Sequence, residues 1–456
     1  MKIKVKNLGA LKQAEFTLGE LTIICGGNNT GKTYATYALF GFLFTWRRML
    51  AIEINDNQIL QLLADGVIHL DIQEYIKQVE PIVAKACQAY TKQLPQIFAA
   101  PAKRFKDTEF QVTLDIKNIS LASKFQSTLG STNVEFFSMT KSQESTELVV
   151  TLLVEKEKVK IPNEILKHTI ADALKDLIFA TIIPRPFIAS AERTGATIFR
   201  KELNFARNRL LDEIGQGNNN INPMELLFKA YQDYALPIKT NVDFTRELET
   251  IVKKSSFIAE NHPDILADFA DIIGGKYTVT RNDELYYEPK GKRLKLSMDE
   301  SSSAVRSLLD IGFYLKHEAQ IGDLLIVDEP ELNLHPENQR RVARLFARLV
   351  NLGIKVFITT HSDYIIKELN TLIMLNHDKP HLKLIAKKEG YREVEFLSCE
   401  KIKVYIAEEV GKTKTTKCQT LTPADIDPEM GIEARSFDTT IETMNRIQES
   451  IVWGQD

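Results

Sequence analysis

Short alternating runs open the chain. KIKVK (2–6) and AEFT (14–17) place apolar residues at every second position, the spacing of half-buried strands, and LTIIC (21–25) is apolar almost throughout, as in a strand covered on both faces. Gly26-Gly27-Asn28-Asn29-Thr30-Gly31-Lys32-Thr33 follows. Tyr34 to Leu50 then predicts a helix with Tyr37, Phe40, Gly41 and Phe44 along one side. The order is strand, glycine loop, helix.

From about residue 52 to 180 the pattern changes. Stretches such as 72–100 predict helix, whereas FQVTLDI (110–116) and LVVTLLVEKEKVKI (148–161) predict strands and a hairpin. TIIPRPFIAS (181–190) predicts a strand and leads into the charged SAERTGA (190–196). Helical patterns occupy 197–215 and 223–260, a hairpin 277–296, and a helix 302–318 that opens on a serine cluster. DLLIVDEPE (323–331), a helix over 336–351, the strand IKVFITT (354–360) and a helix opening at His361-Ser362-Asp363 complete a strand–helix alternation. That alternation predicts an α/β fold: a mostly parallel sheet wrapped by helices, with an antiparallel N-terminal part. LKLIAKK (382–388), VEFLS (394–398) and KIKVYIAEE (401–409) read as further strands. The acidic tail ends in a helix carrying Phe437, Ile441, Met444, Ile447 and Ile451 on one stripe.

Composition narrows the class. Lys plus Arg number 58 against 61 Asp plus Glu, a net charge of −3, which excludes a uniformly basic nucleic-acid binder. The Lys-rich segment 401–417 (Lys401, Lys403, Lys412, Lys414, Lys417) reads as a solvated basic strand before it reads as a phosphate contact. Four cysteines without C-x-x-C spacing suggest neither a zinc ribbon nor a disulfide framework, and fit a reducing compartment. MKIKVKNLGALKQAEF lacks the apolar stretch of a secretory leader, and Tyr37–Trp46 is about half the length of a bilayer span. A cytoplasmic protein with no membrane partner is the expectation.

GGNNTGKT fits G-x-x-x-x-G-K-[ST]. With about 7% glycine per position the pattern would arise by chance roughly once or twice in a hundred chains of this length. Here it also sits between an apolar strand and a helix. Gly26, Asn28, Asn29, Thr30 and Gly31 would curl backbone N–H groups around the phosphates of ATP, with the helix N-terminus adding its positive end. Lys32 would reach the β and γ oxygens, and the Thr33 hydroxyl would ligate Mg²⁺. Leu324 to Val327 would deliver Asp328 and Glu329 to the C-terminal edge of the sheet, where such sheets bind ligands. Asp328 would hold Mg²⁺, and Glu329 would polarise the attacking water. His361 follows the next strand and should emerge at the same edge, beside the γ-phosphate.

These three stations in this order resemble the ABC-type ATPase heads of the SMC and OLD-nuclease group, over about 1–50 and 180–375. The resemblance implies Glu329 as general base, His361 as the switch histidine, and Leu332-Asn333-Leu334-His335 as the D-loop. It also implies two heads closing face to face, each P-loop meeting the signature motif of its partner. The matching stretch is LSMDESSSAVRSLL (296–309), in which Ser302, Ser303 and Ala304 replace the usual serine-glycine pair. Serine hydroxyls can still hold a phosphate, but slow hydrolysis, or ATP acting as a clasp, is compatible with that departure.

Roughly 300 residues separate the lysine loop from Asp328, and no sustained heptads fill them: Pro101, Pro162, Pro184, Pro186, Pro223, Pro237 and Pro263 interrupt every candidate. A compact inserted domain or short arm is expected. The predicted division is 1–51 and 181–400 for the two parts of the head, 52–180 for a mixed insert, and 401–456 for a C-terminal strand and helical tail that docks a partner or packs on its own head. DEPELNLHPENQ, SAERTGA and THSDYIIKELN resemble the stand-alone ATPases of bacterial antiphage systems, in the style of the Septu and PARIS ATPase subunits. That resemblance implies an oligomer controlling a separate HNH-type or toprim-type nuclease, with nucleic acid met through the complex. Two other readings stand beside it: a nucleotide-clasped scaffold with little turnover, and a RecF-like repair head that binds DNA directly.

Overall fold

Runs such as LLIVD and VFITT carry apolar side chains on both sides of the backbone, so they are stable only where both sheet faces are covered. In the computed structural model, residues 1–131, 134–153, 162–198, 234–280, 284–411, 417–433 and 435–453 are described. They divide into two compact units. The second unit holds most of the nine-stranded large sheet. Eight of its strands are β1 (Lys2–Leu8), β2 (Leu11–Thr17), β3 (Leu21–Gly26), β4 (Pro186–Ala189), β5 (Leu324–Asp328), β6 (Lys355–Thr360), β7 (Ile402–Val410) and β8 (Cys418–Pro423). Their order across the sheet is β1-β2-β8-β7-β3-β6-β5-β4. The run from β7 to β4 is parallel, and β7 with β8 is antiparallel.

Every residue of β3 and of β5 is buried. Leu21, Ile23, Leu325, Val327, Val356 and Ile358 enter one core, which they share with Val342, Leu345, Phe346 and Leu349 of the helix Pro336–Asn351. That helix spaces its apolar residues three and four apart, so one face carries them all. Each fully buried Val, Leu, Ile or Phe contributes about 1.5–3 kcal/mol, which makes this face the main anchor of β5 and β6. A buried Glu368 accepts from Arg340 Nε (2.7 Å) and Arg344 Nε (2.5 Å) and ties the same helix to Asp363–Met374.

The first unit takes in most of the segment after the lysine-loop helix. Its antiparallel sheet runs Val67–Asp71, Glu147–Leu152, Val134–Lys141, Phe125–Ser131. The helices Asp56–Asp65 and Asn163–Phe179 belong to it. Phe42, Tyr90 and Phe110 form a ring cluster in its core, with centroids 4.8–5.6 Å apart.

Several local expectations are corrected. LKLIAKK lies in a helix, Pro380–Glu389, not a strand. Pro380 pre-sets its first turn, and Gly390 (φ +74°) closes it through an N–H to Ala386 O. VEFLS gives one turn of 3-10 helix at Glu393–Glu395. Strand over 181–190 shrinks to Pro186–Ala189. The helix expected over 302–318 is three pieces, Ser303–Ser307, Leu309–Phe313 and the π-turn Tyr314–Glu318. At the first break the Ser307 carbonyl accepts a hydrogen bond from a side chain instead. Residues 236–260 form the helices Leu236–Arg246 and Leu248–Ile251 and most of Phe257–Asn261. The expectations for 199–233 and 154–161, and for Lys412 and Lys414, lie outside the described residues.

Candidate functional site

Register puts the candidate residues at one edge. β6 separates β3 from β5, and Thr360 pairs with Cys25 while Thr359 pairs with Asp328. The lysine loop and the Asp328-Glu329 pair therefore leave the sheet at the same level, two strand spacings or about 10 Å apart. His361 leaves between them.

The loop is shaped by backbone that few residues tolerate: Gly26 has φ +135°, Asn29 +62° and Gly31 +95°. Gly27, Asn28 and Asn29 are exposed, and the Thr30 hydroxyl donates to Gly27 O at 2.9 Å. Lys32 is buried, and its ammonium donates to Gly26 O (3.1 Å) and Gly27 O (2.7 Å). Burial lowers its pKa, while the charges of Glu329, Asp328 and Glu331 oppose that shift. Thr33, half-buried, opens the helix with Lys32.

Asp328 is 1% exposed. Its Oδ1 accepts from the Thr359 hydroxyl, and its Oδ2 has no partner among the described residues. Burial pushes the carboxyl up to about 6, with the Thr359 hydrogen bond pulling the other way and the Glu329 and Glu192 charges adding to the rise. An orphaned buried oxygen of this kind is costly unless a cation or a proton occupies it. Among the described residues no group of three or more His, Cys, Asp or Glu side chains could hold a metal. A cation here would rest on Thr33, Asp328 and the oxygens of a nucleotide. The donor set fits Mg²⁺, which binds through one or two protein oxygens and substrate phosphates.

Glu329 adopts φ +52°, a conformation that costs a non-glycine residue about 1–2 kcal/mol. It is pinned on both sides: its N–H bonds Thr359 O (3.1 Å), and its carbonyl accepts from Arg193 Nη2 (2.9 Å). Its Oε1 lies 3.8 Å from His361 Nδ1.

Sequence reasoning assigned no role to three neighbours. Glu331, 7% exposed, accepts the Thr360 hydroxyl (2.9 Å) and the His361 backbone N–H (2.8 Å), and lies 3.4 Å from His361 Nδ1. It sets the position of the histidine. Glu192 accepts from the Tyr37 hydroxyl at 2.7 Å. Arg193, wholly buried, donates from Nε to Ser307 O (2.6 Å) and from Nη1 to Ser190 O (2.8 Å) and Asp328 O (2.7 Å). The available signal was positional, since Glu192, Arg193 and Glu331 are charged residues three or four positions past apolar strands that end at the same sheet edge.

Ser302 and Ser303 form a cluster of their own. The Ser302 hydroxyl accepts from Val305 N (3.3 Å), and Ser303 Oγ accepts from Arg306 Nη2 (3.1 Å). Arg306 Nη1 also holds Met298 O and Ser301 O. The connection from this cluster to the strand ends runs through Ser307 and Arg193.

Among the described residues no helix is long and apolar enough to cross a membrane. Compared with known proteins, residues 1–366 match the model of the AAA ATPase domain family. No curated protein matches the chain. Similar solved structures include the SMC head domain from Thermotoga maritima (TM-score 0.31, 8% identity, covering 93% of this chain and 98% of that one). An SmcHead bound to the C-winged helix domain of ScpA (0.33, 10%, 92% and 97%) is another. A third is the Smc head domain with an extended coiled coil bound to the C-terminal domain of ScpA from Pyrococcus furiosus (0.29, 12%, 98% and 98%).

Proposed function

The chain belongs to the AAA ATPase domain family, the ATP-binding P-loop ATPases, and on that footing we propose that it hydrolyses ATP with Mg²⁺ in a face-to-face dimer or larger ring and thereby governs a separate nuclease. The observation that carries the hydrolytic reading is the shared sheet edge: Thr360 level with Cys25 and Asp328 level with Thr359. Lys32 supplies positive charge to the β and γ oxygens, and the loop N–H groups cradle them. Glu329 takes the proton of the attacking water, and His361, held by Glu331, orients the γ-phosphate. Thr33 and Asp328 would hold Mg²⁺, which when bound neutralises phosphate charge. Ser302 and Ser303 would close on the nucleotide of the facing head. The nuclease partner, of HNH or toprim type, and the antiphage setting rest on the resemblance of DEPELNLHPENQ, SAERTGA and THSDYIIKELN to such systems.

The test is a pair of substitutions. Glu329→Gln should retain ATP, lose at least about a hundredfold in turnover, as removal of a general base does, and accumulate an ATP-dependent dimer on size exclusion. Lys32→Ala should lose ATP binding. Turnover by Glu329→Gln equal to wild type would remove the hydrolytic reading.

One observation favours a second reading, the nucleotide-clasped scaffold. Ser302, Ser303 and Ala304 stand where the signature would carry a serine-glycine pair, and the two serine oxygens that would meet the facing γ-phosphate accept from Val305 N and Arg306 Nη2, which turns them toward their own loop. Under that reading wild type dimerises with ATP but releases no phosphate. Salt-sensitive DNA binding by the chain alone would point instead to a repair head.

A further inference from the structure

The guanidinium of Arg193 touches two places that the proposed function assigns to different nucleotides. Its Nη groups hold Asp328 O and Glu329 O, the carbonyls of the carboxylates that would serve the chain's own ATP. Its Nε holds Ser307 O, in the short helix capped by Ser302, whose serines would serve the ATP of the facing head. We propose that Arg193 is a positioning residue that makes hydrolysis at one nucleotide depend on occupancy of the other. This rests on the face-to-face reading above.

Geometry supplies the argument. A guanidinium is planar and rigid, so its donors cannot adjust one at a time. A displacement of Ser307 by a phosphate at the serine cluster must turn the plane, and with it the two carbonyls on the far side. Glu329 is the residue most sensitive to such a turn, because its left-handed backbone is kept in place by the bonds at its N–H and its carbonyl. The guanidinium also has an unused alternative. Asp310, in the next helical piece, is 1% exposed, its two carboxyl oxygens have no hydrogen-bond partner among the described residues, and when ionised it is the largest opposite charge acting on Arg193. Two arrangements of one buried cation, on the carbonyl set or drawn toward Asp310, give the element a second state. A two-state element that both sites bias is the physical basis for coupling between them.

The experiment measures ATP turnover against ATP concentration for wild type, Arg193→Lys and Asp310→Asn. Dimer formation in the Glu329→Gln variant is followed in parallel. Wild type should be sigmoidal, with a Hill coefficient approaching about 2, the number of sites in a dimer. Arg193→Lys keeps the charge but cannot span four carbonyls, so its Hill coefficient should fall to about 1 while binding of a fluorescent ATP analogue changes less than about threefold. Asp310→Asn should also lose cooperativity, and it serves as the independent variant if the lysine variant does not fold. Lower rate and melting temperature with the wild-type Hill coefficient retained would make Arg193 merely structural and overturn the inference. An ATP-dependent dimer whose wild type is hyperbolic would overturn it alone. Absence of any ATP-dependent dimer would overturn it together with the reading it rests on.

Discussion

A methyl group on Gly26 would lie 2.4 Å from the Ala407 carbonyl oxygen, at a φ of +135° that L side chains rarely adopt. Gly27, one residue on, has open space around the same position. Gly26→Ala should therefore cost more than about 2 kcal/mol of stability, read as a fall in melting temperature, and weaken ATP binding. Gly27→Ala should stay close to wild type in melting temperature. The glycine loop, Asp328 and Glu329 were legible because their chemistry needs fixed residue types at fixed spacing. Arg193, Glu192 and Glu331 were quoted within longer runs without a role. A charged residue is exposed by default, and nothing local shows that an arginine will be buried against four carbonyls.

Among the elements, the buried strands declared themselves by apolar runs, and the helix Pro336–Asn351 by its three-and-four spacing. LKLIAKK alternates well enough to pass for a strand; the flanking Pro380 and Gly390 carried the better signal and lie outside the run. The interrupted helix after Ser302 was illegible for another reason, since its break coincides with a bond from a residue 114 positions away. Glu368 joins two helices by a similar long reach, to Arg340 and Arg344. Glu368→Ala strands two half-covered guanidinium groups and should cost about 2–3 kcal/mol, less than a fully enclosed pair. Because Asp363–Met374 begins at Ser362, next to His361, urea unfolding and ATP turnover should both register the change.

For the molecule as a whole, stability should carry the imprint of Asp310. Burial raises its pKa from 3.8 to about 7, against the opposing charge of Arg193. The native state thus keeps a proton that the unfolded chain has released. The associated stability is complete below about pH 4 and is lost as pH rises through about 7. Replacing the group by its neutral isostere removes that loss. Urea denaturation at pH 5 and pH 8 should show Asp310→Asn gaining on wild type at the higher pH, by up to about 3 kcal/mol, since about two pKa units of the shift lie between pH 5 and pH 7. A pH-independent difference between the two would contradict this. The α/β class and the parallel core were readable from strand–helix alternation, but the order β7-β3-β6-β5 was not. Local pattern says which segments are strands and leaves their neighbours open.

That order bears on how the polypeptide is born. Both strands flanking Leu21–Gly26 come late, at Lys355–Thr360 and Ile402–Val410. At roughly 5–20 residues per second, a ribosome makes the first of them some 15–70 s after β3 has been synthesised. Throughout that interval a mostly apolar ribbon lacks its partners, and it is a natural client for a holdase. Any stop codon before residue 355 should release an aggregating fragment, even though the nucleotide loop in it is intact.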